Sequence, residues 1–159
     1  MSRKQHQELD RIDRRILQIL QERGRISNVS LAREVNLSTT PCAERVRRLE
    51  RNGIITGYKA LVDPARIGLP ICIFVEAKLD HTTPEAFERF REAVSELDEV
   101  EECYMIAGEF DYLLKLRVSD VSVHRRFMNE SLPRLPDVQQ TRSYVVVEEL
   151  KQQNTLPVT

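Results

Sequence analysis

Residues 26–55, ISNVSLAREVNLSTTPCAERVRRLERNGII, decide how the front of this chain folds. Val29, Leu31, Ala32 and Val35 give apolar positions for a helix over residues 28–35, with Ser27 placed to cap it. Asn36, Leu37 and Ser38 form a short corner. A second helix is expected from around Thr40 and Pro41, since a proline at the first helical position gives up no hydrogen bond. It should stop at Asn52-Gly53, where glycine accepts positive φ. At about 100° per residue its Cys42, Val46 and Leu49 make an apolar stripe, and Thr40, Glu44, Arg47, Arg48 and Arg51 come out opposite. Upstream, Leu9, Ile12, Ile16, Ile19 and Leu20 mark a first helix that Gly24 would end. Three helices with a tight corner before an arginine-rich third spell a helix-turn-helix, whose last helix fits the major groove of duplex DNA.

Charge divides the chain in the same place. The formal net charge is −1, yet residues 1–59 carry 13 Lys/Arg against 7 Asp/Glu, and the remainder 11 against 18. A basic front and an acidic rear imply that only the front meets a polyanion. Within it, Ser38, Thr39 and Thr40 lie where hydroxyls and N–H groups can hold a phosphate oxygen or a base edge, or else cap the helix. Arg47, Arg48 and Arg51 can fork onto guanine or clamp phosphate, with Glu44 beside them as a contact or as an ion-pair partner. The stem of Arg45 is expected along the core edge, away from bases.

Past residue 59 the pattern changes. Tyr58 to Val62 reads as a short strand, and Asp63-Pro64 through Gly68-Leu69-Pro70 as a punctuated connection, so residues 60–70 are the expected linker. Strands are expected over residues 71–79, 100–107, 112–118 and 138–147, and helices over 84–97 and 121–132. That β-α-β-β-α-β order predicts an α+β fold: a helix-turn-helix domain at 1–59, then a ferredoxin-like sandwich at 71–150 with both helices on one sheet face. Residues 151–159 form a polar tail without an assigned role. The uncovered sheet face looks largely apolar, which predicts a homodimer joined sheet to sheet.

Several function classes are disfavoured. Cys42, Cys72 and Cys103 are too far apart for a disulfide framework or a zinc site, and suit a reducing cytoplasm. The opening MSRKQHQELD lacks a signal-peptide core, and no stretch approaches the ~18 apolar residues of a membrane span, so a cytoplasmic, nucleoid-associated protein without membrane contact is expected. His6, His81 and His124 show no metal-ligand spacing. No phosphate loop and no nucleophile motif stands out, and neither a catalytic residue nor a cofactor is expected. Gly108-Glu109-Phe110-Asp111-Tyr112 is the best sensing candidate. Backbone N–H groups of a glycine turn can meet a carboxylate, and Asp111 an ammonium, although Gly and Asp are also ordinary hairpin residues.

The strings DRIDRRILQIL (10–20), GRISN (24–28), TPCAERVRRLERNGII (40–55), GEFDYLLKLRV (108–118) and RLPDVQQTRSYVVVEE (134–149), in this order and spacing, closely resemble the Lrp/AsnC (feast/famine) transcription regulators. The resemblance runs from about Leu9 to Leu150. It implies a sequence-specific regulator with an amino-acid effector, leucine or another small apolar one, and dimers assembling to octamers or higher. It places the effector between dimers, against Met105, Gly108, Phe110, Asp111, Tyr112, Val121, Tyr144, Val145 and Val146. Ser38-Thr39-Thr40-Pro41 departs from close relatives, which commonly have a proline after the serine; base preference is where that difference should tell. Two alternatives come from other classes. Some sirohaem decarboxylases resemble the same two-domain architecture, and a low-specificity nucleoid-packing protein would share the basic front.

Overall fold

Asp10 opens the first helix, α1 (Arg11–Glu22), by accepting the N–H of Asp13 at 2.8 Å, while the Asp13 carboxylate reaches back to the Asp10 N–H. Ser27 caps α2 (Asn28–Glu34) through the N–H of Ser30. Asn36 then takes the left-handed conformation, φ 55°, and turns the chain into α3 (Thr39–Arg51), after which Gly53 turns it out at φ 68°. Asparagine and glycine are the residues that enter this region most cheaply. Ile16, Ile19, Leu31, Cys42 and Leu49 fill the space between the three helices and are essentially fully buried. One charged group is buried with them: Asp13, 2% exposed. Its two carboxylate oxygens accept from Arg48 Nη2 at 2.8 and 2.7 Å, and one of them also from Arg45 Nη1 at 2.9 Å.

The computed structural model describes residues 9–152 and 155–158. They form two compact units: the described residues up to Leu61 together with those from Lys151 onward, and Val62–Leu150. The second unit holds β1 (Ile71–Leu79), α4 (Pro84–Ser95), β2 (Val100–Met105), β3 (Tyr112–Val118), α5 (Val121–Arg126) and β4 (Val138–Val145). The strands make one antiparallel sheet in the order β2-β3-β1-β4. The inner strands β1 and β3 alternate strictly: Ile73, Val75, Ala77 and Leu79, with Tyr112, Leu114, Leu116 and Val118, all point into the core. Phe90 of α4 stacks on Tyr112 with ring centroids 4.1 Å apart, and Phe127 closes the same core. This is the ferredoxin-like arrangement expected of the βαββαβ order.

Three expectations are corrected. Tyr58–Val62 is not a strand: no partner strand pairs with it, and Leu61 and Val62 stand 79% and 58% exposed. Strand-forming side chains without a ladder do not make a strand. The helix expected over residues 121–132 is regular only to Arg126, then widens into a π-type turn at Phe127–Ser131 and tightens into a 3-10 turn at Leu132–Arg134, where Pro133 cannot continue an α-helix. Finally, the sheet face away from the helices is not largely apolar. Phe74, Tyr104 and Leu113 share it with Glu76, Lys78, Glu102, Lys115 and Arg117, because the charged positions of β1 and β3 fall between the core positions. Lys115 bonds Glu102 at 2.8 Å, and Arg117 forks onto Glu149 at 3.0 and 2.9 Å.

Asp13→Ala removes the anchor of two arginines. The expected loss is about 2–4 kcal/mol in urea titration, below the full cost of breaking a buried pair because both guanidinium groups are partly solvated. Asp120, which caps α5, has its carboxyl drawn down to about 2 by hydrogen bonds from Ser122, Val123 and Ser119. A depressed carboxylate stabilises above its unfolded pKa and stops doing so as pH falls through the folded value. The cap should therefore persist through pH 4 and titrate near 2 by carboxyl NMR; a midpoint near 4 would mean that it is open in solution.

Candidate nucleic-acid interface and ligand site

The outer face of α3 is narrower than its arginine count suggests. Arg47 and Arg51 are exposed and lie four residues apart, one turn on the same side, with Glu44 exposed alongside and Thr40 a further turn toward the helix start. Arg48, expected outward with them, turns back toward α1 and gives Nη2 to both oxygens of Asp13. The cause is the buried carboxylate, which needs cations where no water reaches it. Arg45 keeps to the core edge as expected, bonding Asp10 at 2.5 Å and Asp13 at 2.9 Å. Those bonds hold the Asp10 carboxyl below its usual range, the Asp13 N–H first and Arg45 second. The sequence reading missed Asp13. The available signal was its spacing, three residues before Ile16 on the buried stripe, where an aspartate must find partners.

The start of α3 also differs from its expected form. Thr39 is the first helical residue, so Pro41 stands third rather than first. In α1, α2, α4 and α5 the capping side chain accepts from the third N–H. Pro41 has none to give, and Ser38, at the cap position of α3, makes no side-chain capping bond. The Ser38, Thr39 and Thr40 side chains are exposed at this end. Beneath α3, Tyr58 donates to Glu50 at 3.0 Å, and burial together with that carboxylate pushes its phenol up to about 12. A cavity of about 280 Å³ there is lined by Arg47, Glu50 and Tyr58 among others.

In the second unit the nine expected ligand residues divide between two ends of the sheet. Met105 pairs with Tyr112, and Tyr112 with Ala77, at the end that carries the Gly108–Asp111 turn. Tyr144 and Val145 pair with Phe74 and Ile73, and Val146 donates to Cys72, at the other end, which leads through Val118 to Val121. Three to five positions along β1 separate the two sets, about 10–17 Å. Two of the nine are committed elsewhere. The Tyr112 ring is stacked in the core, and Asp111 Oδ2 accepts the N–H of Leu79 at 2.8 Å while the Asp111 N–H donates to Ala77, so its carboxylate ties the turn to β1. Met105, Val121, Tyr144 and Val145 are exposed, and Phe110 is half-buried. Alternation sends Tyr144 and Val145 to opposite faces.

Beside the turn lies a cavity of about 300 Å³ lined by Glu76, Lys78, Glu109, Phe110, Gln140, Thr141 and Arg142. Glu109 and Phe110 belong to the turn singled out in the sequence; the other five were not anticipated. Glu76 and Lys78 alternate with core residues of β1, and Arg142 stands across from Glu76. The cavity thus offers both signs of charge and one aromatic ring. Burial raises the thiols of Cys42, Cys72 and Cys103, the reverse of what a nucleophilic cysteine needs. His6 and the rest of residues 1–8 lie outside the described residues. Among the described residues no cluster of His, Cys, Asp or Glu could hold a metal ion, and no helix is long and apolar enough to cross a membrane.

Comparison with known proteins bears on both units. Residues 9–56 match the winged helix-turn-helix DNA-binding model, and residues 72–156 the Lrp/AsnC ligand binding domain. The leucine-responsive regulatory proteins of Escherichia coli K12 and Klebsiella pneumoniae are each 54% identical over 151 residues, 95% of this chain and 92% of theirs. A transcriptional regulator of Neisseria meningitidis, solved in complex with L-Met, superposes with a TM-score of 0.89 at 36% identity, covering 94% of this chain and 97% of that one. An AsnC family regulator of Agrobacterium tumefaciens gives 0.88 at 36%, covering 93% and 96%. These relatives are regulators, and they do not favour the enzyme alternative. The chain belongs to the Lrp/AsnC family of transcriptional regulators, and it carries that family's DNA-binding helix-turn-helix and its ligand-binding domain.

Proposed function

We propose that this protein is a sequence-specific DNA-binding regulator in the cytoplasm, at the nucleoid, whose hold on its sites changes when a small apolar amino acid, leucine or methionine, binds the second unit. The observation that carries the reading is the coexistence of an outward Arg47–Arg51 face with a separate cavity bearing both signs of charge. In this reading Arg47 and Arg51 contact bases or phosphates, Glu44 limits which bases are accepted, and the Ser38–Thr40 end takes a phosphate. Arg48 contributes by aiming α3 from behind, through Asp13.

For the effector, Lys78 and Arg142 suit a carboxylate, Glu76 and Glu109 an ammonium, and Phe110 an apolar side chain. The backbone of the Gly108 turn adds N–H donors. Met105 shares the turn's end of the sheet, whereas Val121, Tyr144, Val145 and Val146 lie at the other end and do not meet one ligand with that turn in a single protomer. They serve if a second copy brings its other sheet end to the site. A homodimer assembling to an octamer or higher supplies such copies, and ligand control then becomes linkage: the amino acid favours whichever assembly binds it better.

In a mobility-shift titration, Arg47→Ala and Arg51→Ala should each weaken binding, by about 1–3 kcal/mol with relaxed sequence preference where a base is read, or with a salt slope lower by about 1 where only phosphate is met. Binding curves identical to the unmutated protein for both variants would reject this face. A nucleoid-packing role requires random competitor DNA to displace a target duplex nearly mole for mole. A thermal-shift panel of the twenty amino acids should single out leucine-like ligands, with about 2.7 kcal/mol of stabilisation at roughly a hundred times Kd. Arg142→Ala should abolish that stabilisation and leave the unliganded transition in place. Asp111→Ala should lower the unliganded transition itself, because its carboxylate holds β1.

A further inference from the structure

The last residues of the chain belong with the helix-turn-helix unit and not with the sheet they follow. Leu156 meets Gln21 of α1 through both of its backbone groups: its N–H donates to Gln21 Oε1 at 2.6 Å, and its carbonyl accepts from Gln21 Nε2 at 3.1 Å. Two residues on, the Val158 carbonyl accepts from Gln18 Nε2 at 3.4 Å, and the Val158 side chain packs against the apolar cluster of the three helices. A side-chain amide carries one acceptor and two donors in a plane, so it pairs with a peptide group as a neighbouring strand would. Gln18 and Gln21, three apart on a helix, are surface neighbours and address alternate residues of an extended segment.

The sequence prepares the segment for this. Pro157 has no N–H to leave unpaired, and it pushes the residue before it away from helical angles, so Leu156 is kept from continuing a helix and leaves its backbone groups open to Gln21. The other end of the connection is also fixed. Arg117 of β3 grips Glu149 with two parallel bonds, just after β4 ends at Val145. The chain leaves the first unit once after Leu61 and returns to it at Lys151.

We propose that the Gln18–Gln21 face of α1 is a docking surface, that its occupant is the Leu156–Val158 segment of the same chain, and that the docked segment is a second tie between the ligand-binding and DNA-binding units. Six residues lie between the Glu149 grip and the Leu156 anchor, seven steps that span at most about 25 Å of extended chain. In this proposal the linker is what connects the β4 end, where Tyr144 to Val146 sit, to the helix that holds Asp13. The docking stands on its own observations; the tie rests on the regulatory reading given above.

Three proteins decide it: the unmutated chain, the full-length Gln21→Ala variant, and a chain ending at Gln152. Hydrogen exchange of the unmutated chain should show the Leu156 amide protected, and Gln21→Ala should release it. A Gln21→Cys, Leu156→Cys pair, oxidised and mapped by mass spectrometry, should link within one chain. Equal exchange of Leu156 in both proteins, or a link between two chains, overturns the docking. The ratio of DNA affinities with and without L-leucine or L-methionine should move toward unity in both altered chains, by about threefold or more, while each amino acid still gives its thermal shift. An unchanged ratio overturns the tie. A ratio of one in the unmutated protein removes the tie and the regulatory reading together, and leaves the exchange result to judge the docking.

Discussion

Two arginines of α3 converge on one carboxylate of α1, and the geometry of the DNA-binding unit depends on that meeting. The three helices bury a short apolar core, which decides which face of each turns inward but supplies no directional bond between them. Directional bonds supply what packing cannot. Asp13 accepts from Arg45 and Arg48 and closes the cap of its own helix, so one residue sets both the start of α1 and the bearing of α3. The arrangement also divides the positive charge of α3 in two. Arg45 and Arg48 are matched by Asp10 and Asp13, which leaves Arg47 and Arg51 as the pair on its outer face. Counterion release on DNA from this helix should accordingly reflect two cations and not four.

The second unit obeys a different constraint, the period-two alternation of its inner strands. One set of side chains must build the core against α4 and α5, so every charged group of β1 and β3 is delivered to the other face. That is why the cavity beside the Gly108 turn is lined by charges. The antiparallel register, in turn, puts the residues expected to share a ligand at two ends of the sheet. The proposed site between copies would span that distance without bending any strand.

Much of this was legible in the sequence, and the failures have physical causes. Helical periodicity located α1, α2 and α3, because burial on one side imposes it locally, and runs of apolar, β-forming residues located β1 and β3. Tyr58–Val62 misled because strand propensity says nothing about whether a partner strand exists. Arg48 misled because helical phase places a side chain's Cβ but not the end of a long flexible stem, which followed a carboxylate 35 positions away in sequence. Asp111 was legible as a turn residue and also chemically suited to a ligand; the structure commits one of its oxygens to Leu79. The tail carried no periodicity at all, and its place on α1 depends on two glutamine side chains that read as ordinary solvent-facing polar residues.

The proline at the third position of α3 has a consequence for how the protein meets a duplex. Four other helices complete their first turn with a side chain of their own, and α3 cannot do so in the same way. Its opening turn is left with hydrogen-bonding capacity that an external oxygen can satisfy, and the duplex backbone is rich in such oxygens. Contact with nucleic acid would finish the helix as well as neutralise it. The ordering of a few backbone groups would then be counted within the free energy of complex formation, and would make that free energy sensitive to the spacing of neighbouring phosphates along the groove.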